Sequence, residues 1–341
     1  MTARPRVAVV ITCYNLGRYL DETVDSVFAQ TFQDFEIVIV DDGSDEPETV
    51  RLLESYARPQ TRVVHSPNRG LPAARNLGIR ESTGEYICAL DADDLLEPTY
   101  LEKSIRVLDE DPTIAFVSHW LRAFGDEAWE WRPDRCDMVS LLDRNMVNSA
   151  ALFRRELASA VGGFDETLTR GFEDWAFWLE VVSRGFRGAI IPEVLFHYRR
   201  RPDSMSRRMM VDGTDREFFR WRLERHAADY RRHVVELTAT REVRSWNLCR
   251  EIHGLEAEHR EWLDPDVRRW REQVEALRDK MDRAERRTGL LREARTQNEC
   301  LQAQAARLTA EVAALRASWS WRLTAPLRLV GEWLLGLRGR P

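Results

Sequence analysis

The chain has 341 residues, a formal net charge of −6, 43% hydrophobic and 32% charged residues. At roughly 100–200 residues per domain that length suggests about two units, with core enough to fold without a disulfide or metal staple, and the composition excludes a disordered protein. Residues 1–205 hold 23 basic and 35 acidic side chains, whereas residues 206–341 hold 28 basic and 22 acidic, so the larger part would repel phosphate and no nucleic-acid partner is expected.

In chain order, Val7–Thr12 reads as a buried strand and Arg18–Gln30 as a helix, with apolar residues at Tyr19, Leu20, Val24 and Val27. Glu36–Val40 is a second strand, ending at Asp41-Asp42-Gly43-Ser44. A helix over Glu48–Ala57, a short strand over Arg62–His65 and an alanine-bearing helix over Gly70–Arg80 follow. Tyr86–Leu90 is a strand ending at Asp91-Ala92-Asp93-Asp94, followed by a helix over Thr99–Asp109 and a strand over Ile114–Ser118. Such alternation predicts a parallel sheet with helices on both faces, and ligands in such folds bind beyond the carboxyl ends of the strands. Both acidic clusters sit at such ends.

Residues 120–205 are less regular, with a helix over Glu173–Arg184, a short strand over Ala189–Pro192 and a basic segment from His197 to Arg208. Charge then becomes dense. Asp215–Arg232 reads as one charged amphipathic helix. From Val267 to Trp319 apolar positions step by three and four, with a phase slip between Leu291 and Ala294. This is a coiled-coil pattern, open to a homo-oligomer or a partner enzyme, though a long helix packed back on the chain gives the same spacing. Residues 318–338 combine three tryptophans and many leucines with Arg322, Arg328 and Arg338. That composition fits an interfacial helix on an anionic membrane or a packed helix. The expected organisation is a catalytic domain over 1–208, a helical connector over 209–265, a coiled coil over 266–318 and an amphipathic segment over 319–341. No leader or apolar run of about 18 residues is found, and the five scattered cysteines read as free thiols. A cytoplasmic location is expected, peripheral to the inner face of the membrane if the last segment binds it.

Asp91 and Asp93 flank one residue, so in an extended segment both carboxylates point to one side. Hard oxygen ligands of this kind suit Mg²⁺ or Mn²⁺ shared with a diphosphate. Three residues alone are a weak signal, equally that of a solvated strand end. The set Val7–Asn15, Glu36–Ser44, Asn68–Gly78, Gly84–Asp94, Gly162–Glu166 and Glu173-Asp174-Trp175 resembles the family 2 glycosyltransferases over residues 5–205. The resemblance implies an α/β GT-A fold, Rossmann-like, with a mostly parallel central sheet and flanking helices. The C-terminal helical or coiled-coil extension lies outside it.

The resemblance further implies a nucleotide site made by Thr12, Tyr14, Asn15, Asp42, Arg69, Arg75 and Asp91. Tyr14 would stack on a pyrimidine and Asp42 would accept the base N3–H, which favours a UDP- or dTDP-sugar donor. Asp93 is implied as metal ligand, with Asp91 and His197 as further candidates for Mn²⁺ or Mg²⁺. Asp174 is implied as general base of an inverting transfer to a hydroxyl of a glycan or lipid-linked acceptor in polysaccharide biosynthesis. Gly163, Glu173, Arg200 and Arg201 fall at acceptor or lid positions. Glu217-Phe218-Phe219-Arg220-Trp221 matches only half of the QxxRW motif of processive relatives, so a non-processive hexosyl- or deoxyhexosyltransferase is expected. The alternative is an inactive scaffold of the same fold that recruits enzymes through its coiled coil.

Overall fold

The computed structural model describes residues 4–205 and 214–262, with three single positions (276, 302 and 304) beyond them. Apart from those three positions, the expected coiled coil lies outside the described residues, as does the Trp/Arg/Leu-rich segment. Contacts divide the chain into two compact units, Met1–Ala239 and Thr240–Pro341.

The first unit opens with β1 (Val7–Cys13), α1 (Gly17–Phe28), β2 (Phe35–Asp42), α2 (Pro47–Glu54), β3 (Thr61–Ser66), α3 (Leu71–Glu81), β4 (Tyr86–Asp91), β5 (Leu95–Leu96) and α4 (Tyr100–Glu110). It continues with β6 (Ile114–Gly125), β7 (Trp129–Trp131), α5 (Met138–Asp143), β8 (Leu152–Arg154), α6 (Arg155–Val161), α7 (Glu173–Ser183) and β9 (Arg187–Arg200). After the undescribed stretch come α8 (Thr214–Arg225), α9 (Ala227–Arg232) and α10 (Val234–Trp262), the last running into the second unit.

One sheet runs in the order β3-β2-β1-β4-β8-β6-β9-β5, with β7 beside β6. Strands β3, β2, β1 and β4 are mutually parallel. Strand β8 enters antiparallel between β4 and β6, while β6 and β9 are parallel. All seven residues of β1 are buried because neighbours flank it on both edges and helices cover both faces. Its side chains alternate between two cores, Ala8 and Val10 facing one, Val7, Val9 and Ile11 the other. Helix α1 buries Leu20, Val24 and Val27, spaced one helical turn apart. Helix α3 packs close on the sheet: a Cβ on Gly78 would stand 2.2 Å from Val10 Cγ1, so only glycine permits that approach.

Several elements differ from the sequence expectation, among them β6, which runs past Ser118 to Gly125. Strand β9 does not end at Pro192 but reaches Arg200, so His197, Arg199 and Arg200 are strand residues. Its pairing with β6 jumps from His119↔Ile191 to Trp120↔Val194, and the bulge expels Pro192 and Glu193 from the ladder. The helix expected over 215–232 breaks at His226 into α8 and α9. Helix α8 belongs to the first unit's core: Phe218 is 2% exposed and stacks on Phe172, ring centroids 4.5 Å apart.

Candidate active site

The carboxyl ends of β1, β2 and β4 gather most of the expected nucleotide residues. Thr12 and Asp91 are register partners, and Thr12 Oγ1 donates to Asp91 Oδ1 at 3.1 Å. Tyr14, just past β1, is 44% exposed and so open to a ring lying on it. Asp42 ends β2 and is buried. Its two oxygens accept the backbone N–H groups of Arg69 (2.9 Å) and Gly70 (3.0 Å), fixing the β3–α3 loop over it. Each oxygen keeps a second acceptor position for a ligand N–H. Burial raises its pKa against the pull of those two N–H groups. Asp41 is occupied structurally, accepting from Ser44 N and facing His65 Nδ1 at 3.0 Å.

The other three expected nucleotide residues also have partners within the protein. Asn15 sits at φ 55°, a left-handed position that asparagine tolerates. Its amide binds Asp45 Oδ1 and the backbone N–H groups of Asp45 and Glu46, so it shapes the β2–α2 loop. The Arg69 side chain pairs with Glu166 at 2.8 Å. Arg75 is 1% exposed and joins Asp91 (2.8 Å) to Glu173 (2.5 Å).

At the second acidic cluster, Asp93 is buried and its Oδ2 pairs with Arg201 Nε at 2.7 Å. Asp94 is fully buried and accepts from Arg199 N, while its Oδ2 has no hydrogen-bond partner. Burial raises both carboxyls. Arg201 opposes the shift at Asp93, and the neighbouring carboxylates add to it at Asp94. His197 stands in β9 and its Nε2 meets Glu97 Oε1 at 2.6 Å. Arg200 is buried against Glu127 at 3.2 Å, whereas Arg201, the next residue, faces Asp93.

The Glu173-Asp174 pair opens α7. Phe172 before it holds a left-handed φ of 65°, unusual for an aromatic residue, and its stacking on Phe218 secures that conformation. Asp174 Oδ2 accepts from Asn145 Nδ2 at 3.0 Å and Oδ1 from Trp175 N at 2.7 Å. Burial raises the pKa of Asp174, with Arg75 opposing. Glu173 is pushed up to about 7 by burial, with Arg75 opposing and Asp174 adding. Gly163, at φ 83°, belongs to the turn that Asn76 clamps: Asn76 bonds Phe164 at both backbone atoms, and a Cβ on Gly163 would meet Asn76 Oδ1 at 2.6 Å.

Sequence reasoning missed Asn145, Asn76 and the Phe172–Phe218 stack. Nothing local marks Asn145, since its partner lies 29 residues away.

Residues 8–163 match the family model described as glycosyl transferase family 2. Over that stretch the chain is similar to glycosyltransferase family 2. It is 27% identical over 208 residues to the uncharacterized glycosyltransferase MJ1057 of Methanocaldococcus jannaschii, covering 58% of this chain and 71% of that one. It is 26% identical over 220 residues to the uncharacterized glycosyltransferase EpsJ of Bacillus subtilis, covering 59% and 63%. The crystal structure of S. aureus TarS 1–349 in complex with UDP-GlcNAc superposes with a TM-score of 0.51 at 20% identity, covering 59% of this chain and 60% of that one. That likeness shows the GT-A fold. The carboxylates of β2 and β4 and of α7 therefore lie on a GT-A framework.

Among the described residues no three carboxylate, imidazole or thiolate groups cluster into a ready-made metal cage. The donor set nevertheless fits a hard cation that keeps waters and takes other oxygens from a diphosphate, because one or two carboxylates suffice. Asp93 already faces a cation in Arg201, and Asp94 beside it has an orphaned oxygen.

Proposed function

We propose that this glycosyltransferase moves a sugar from a UDP- or dTDP-sugar to a hydroxyl of a glycan or lipid-linked acceptor, with inversion at the anomeric carbon. The observation that supports this best is the linkage of the β4 end to the start of α7, Asp91–Arg75–Glu173, which joins the donor-type carboxylates to the Asp174 base. Asp42 accepts the N3–H of uracil or thymine, which cytosine lacks, and Tyr14 stacks on the ring. Asp93, with Asp91 beside it, would hold Mn²⁺ or Mg²⁺; such a cation offsets charge on the departing nucleoside diphosphate. Arg201 must leave Asp93 for that exchange, which puts its guanidinium within reach of a phosphate. Asp174 takes the proton of the acceptor hydroxyl as the new bond forms. Asn145 and the Trp175 N–H keep its carboxylate aimed.

The domain plan belongs to the same reading: a catalytic domain, a helical connector, a coiled coil over 266–318 for self- or partner assembly, and a membrane-contacting end over 319–341. Among the described residues no helix is long and apolar enough to cross a membrane. The reading is tested with Mn²⁺ and a panel of UDP-, dTDP- and GDP-sugars, following nucleotide release. Turnover by the wild type, lost in Asp174→Asn and Asp93→Ala, is the expected outcome. A GDP-sugar used in preference to every UDP- and dTDP-sugar would overturn the assignment of Asp42.

A further inference from the structure

Arg75 has little surface to offer a ligand. Its side chain is 1% exposed, while that of Asp91 beside it keeps 23%. A nucleotide entering from solvent meets the carboxylate and not the guanidinium. The two terminal nitrogens are divided between elements: Nη2 donates to Asp91 Oδ1 at the end of β4, and Nη1 to Glu173 Oε1 in the first turn of α7. Phe164 lies against the guanidinium, 5.4 Å from the ring centroid, and closes that side. Asp91 Oδ1 also accepts from Thr12, so its two donors leave Oδ2 for a ligand.

We propose that Arg75 is a positioning residue and not a nucleotide contact: its planar fork sets Asp91 and the Glu173-Asp174 turn in one fixed geometry, so that the donor and the base meet the same reaction volume. The inference rests on the proposed function. A planar guanidinium suits this, because it reaches two carboxylates at a set angle, whereas an ammonium is a point charge on a flexible stem. The arrangement also explains the burial of Glu173. A carboxylate next to the base would disturb it unless held, and the guanidinium holds it at 2.5 Å.

The experiment uses the full chain with UDP and Mn²⁺ for binding, and hydrolysis of the best donor from the sugar panel for turnover, water being the acceptor. Arg75→Lys keeps the charge and loses the fork. Its UDP Kd should stay within about threefold of the wild type, while kcat falls about 10- to 100-fold, the scale of an ångström-level misplacement. Arg75→Lys combined with Glu173→Gln should turn over no more slowly than the worse single variant, because both break one link. Arg75→Gln leaves two carboxylates without their counter-charge and should melt early, and adding Glu173→Gln should restore much of its Tm without restoring kcat.

A tenfold or greater rise in UDP Kd with kcat unchanged would make Arg75 a donor contact and overturn the inference, as would losses in kcat that multiply across the pair. Either result leaves the functional reading standing if the wild type turns over. A wild type that releases nucleotide from no donor in the panel sinks both.

Discussion

At the scale of single residues, the chemistry turns on which carboxyl is charged. Burial raises Asp174 above the ordinary aspartate value of 3.8, and it raises its neighbour Glu173 to about 7. If Asp174 is the base, as proposed, it must be deprotonated to accept, so the rate should rise with pH, and the acid limb of kcat should lie above the ordinary aspartate range. Stability runs the other way. A carboxyl whose pKa is higher when folded holds its proton more tightly in the native state. The contribution of Glu173 is therefore complete below about 4.5 and is lost as pH rises through about 7. Asp174→Asn should lower kcat by about 10²–10⁴-fold, the usual reach of a general base, with UDP affinity by calorimetry unchanged. Asn145→Ala removes a donor that favours the charged form of Asp174. Its acid limb should move further up in pH, and a limb that stays in place would show that Asn145 does not govern the base.

At the scale of elements, α8 packs against the turn that opens α7. Phe218 stacks on Phe172, and Arg222 lies over the Trp175 ring at 4.3 Å. Phe218→Ala should cost about 3–5 kcal/mol, as large aromatic deletions in cores do. For a unit of this size that is a Tm lower by about 10 °C in a thermal melt. A melt unchanged within about 2 °C would show that α8 is not integral to the domain.

This packing marks where the sequence was legible. β1 to α4 could be read because their apolar periods match their geometry and Asp42 and Asp91 fall at strand ends. Strand β9 could not, because Pro192 reads as a stop and only the bulge opposite β6 lets the ladder continue. The segment Glu217-Phe218-Phe219-Arg220-Trp221 marks no core position by its pattern, yet Phe218 is a core residue whose partner Phe172 lies 46 positions earlier. The ion pair of Arg75 with Glu173 was not legible, since only the fold brings the two together.

At the scale of the whole chain, the two charge regimes imply two kinds of surface. The acidic first 205 residues, carrying the carboxylates of the site, are repelled by an anionic membrane, whereas residues 206–341 carry six more basic than acidic side chains. Within the latter, Trp319, Trp321 and Trp333 accompany Arg322, Arg328 and Arg338 with Glu332 as the one acidic residue among 318–338. Indole rings settle at the headgroup level, and each arginine near an anionic surface adds about 1 kcal/mol within a Debye length of roughly 8–10 Å. The full chain should therefore co-sediment with phosphatidylglycerol vesicles and not with phosphatidylcholine vesicles. Salt should weaken binding without abolishing it, because the tryptophans and leucines contribute a term that salt does not screen. A chain ending at residue 317 should stay in the supernatant while releasing nucleotide from the donor at the wild-type rate. Equal sedimentation of the two chains would place the membrane contact elsewhere, and equal binding to both vesicle types would remove the electrostatic argument.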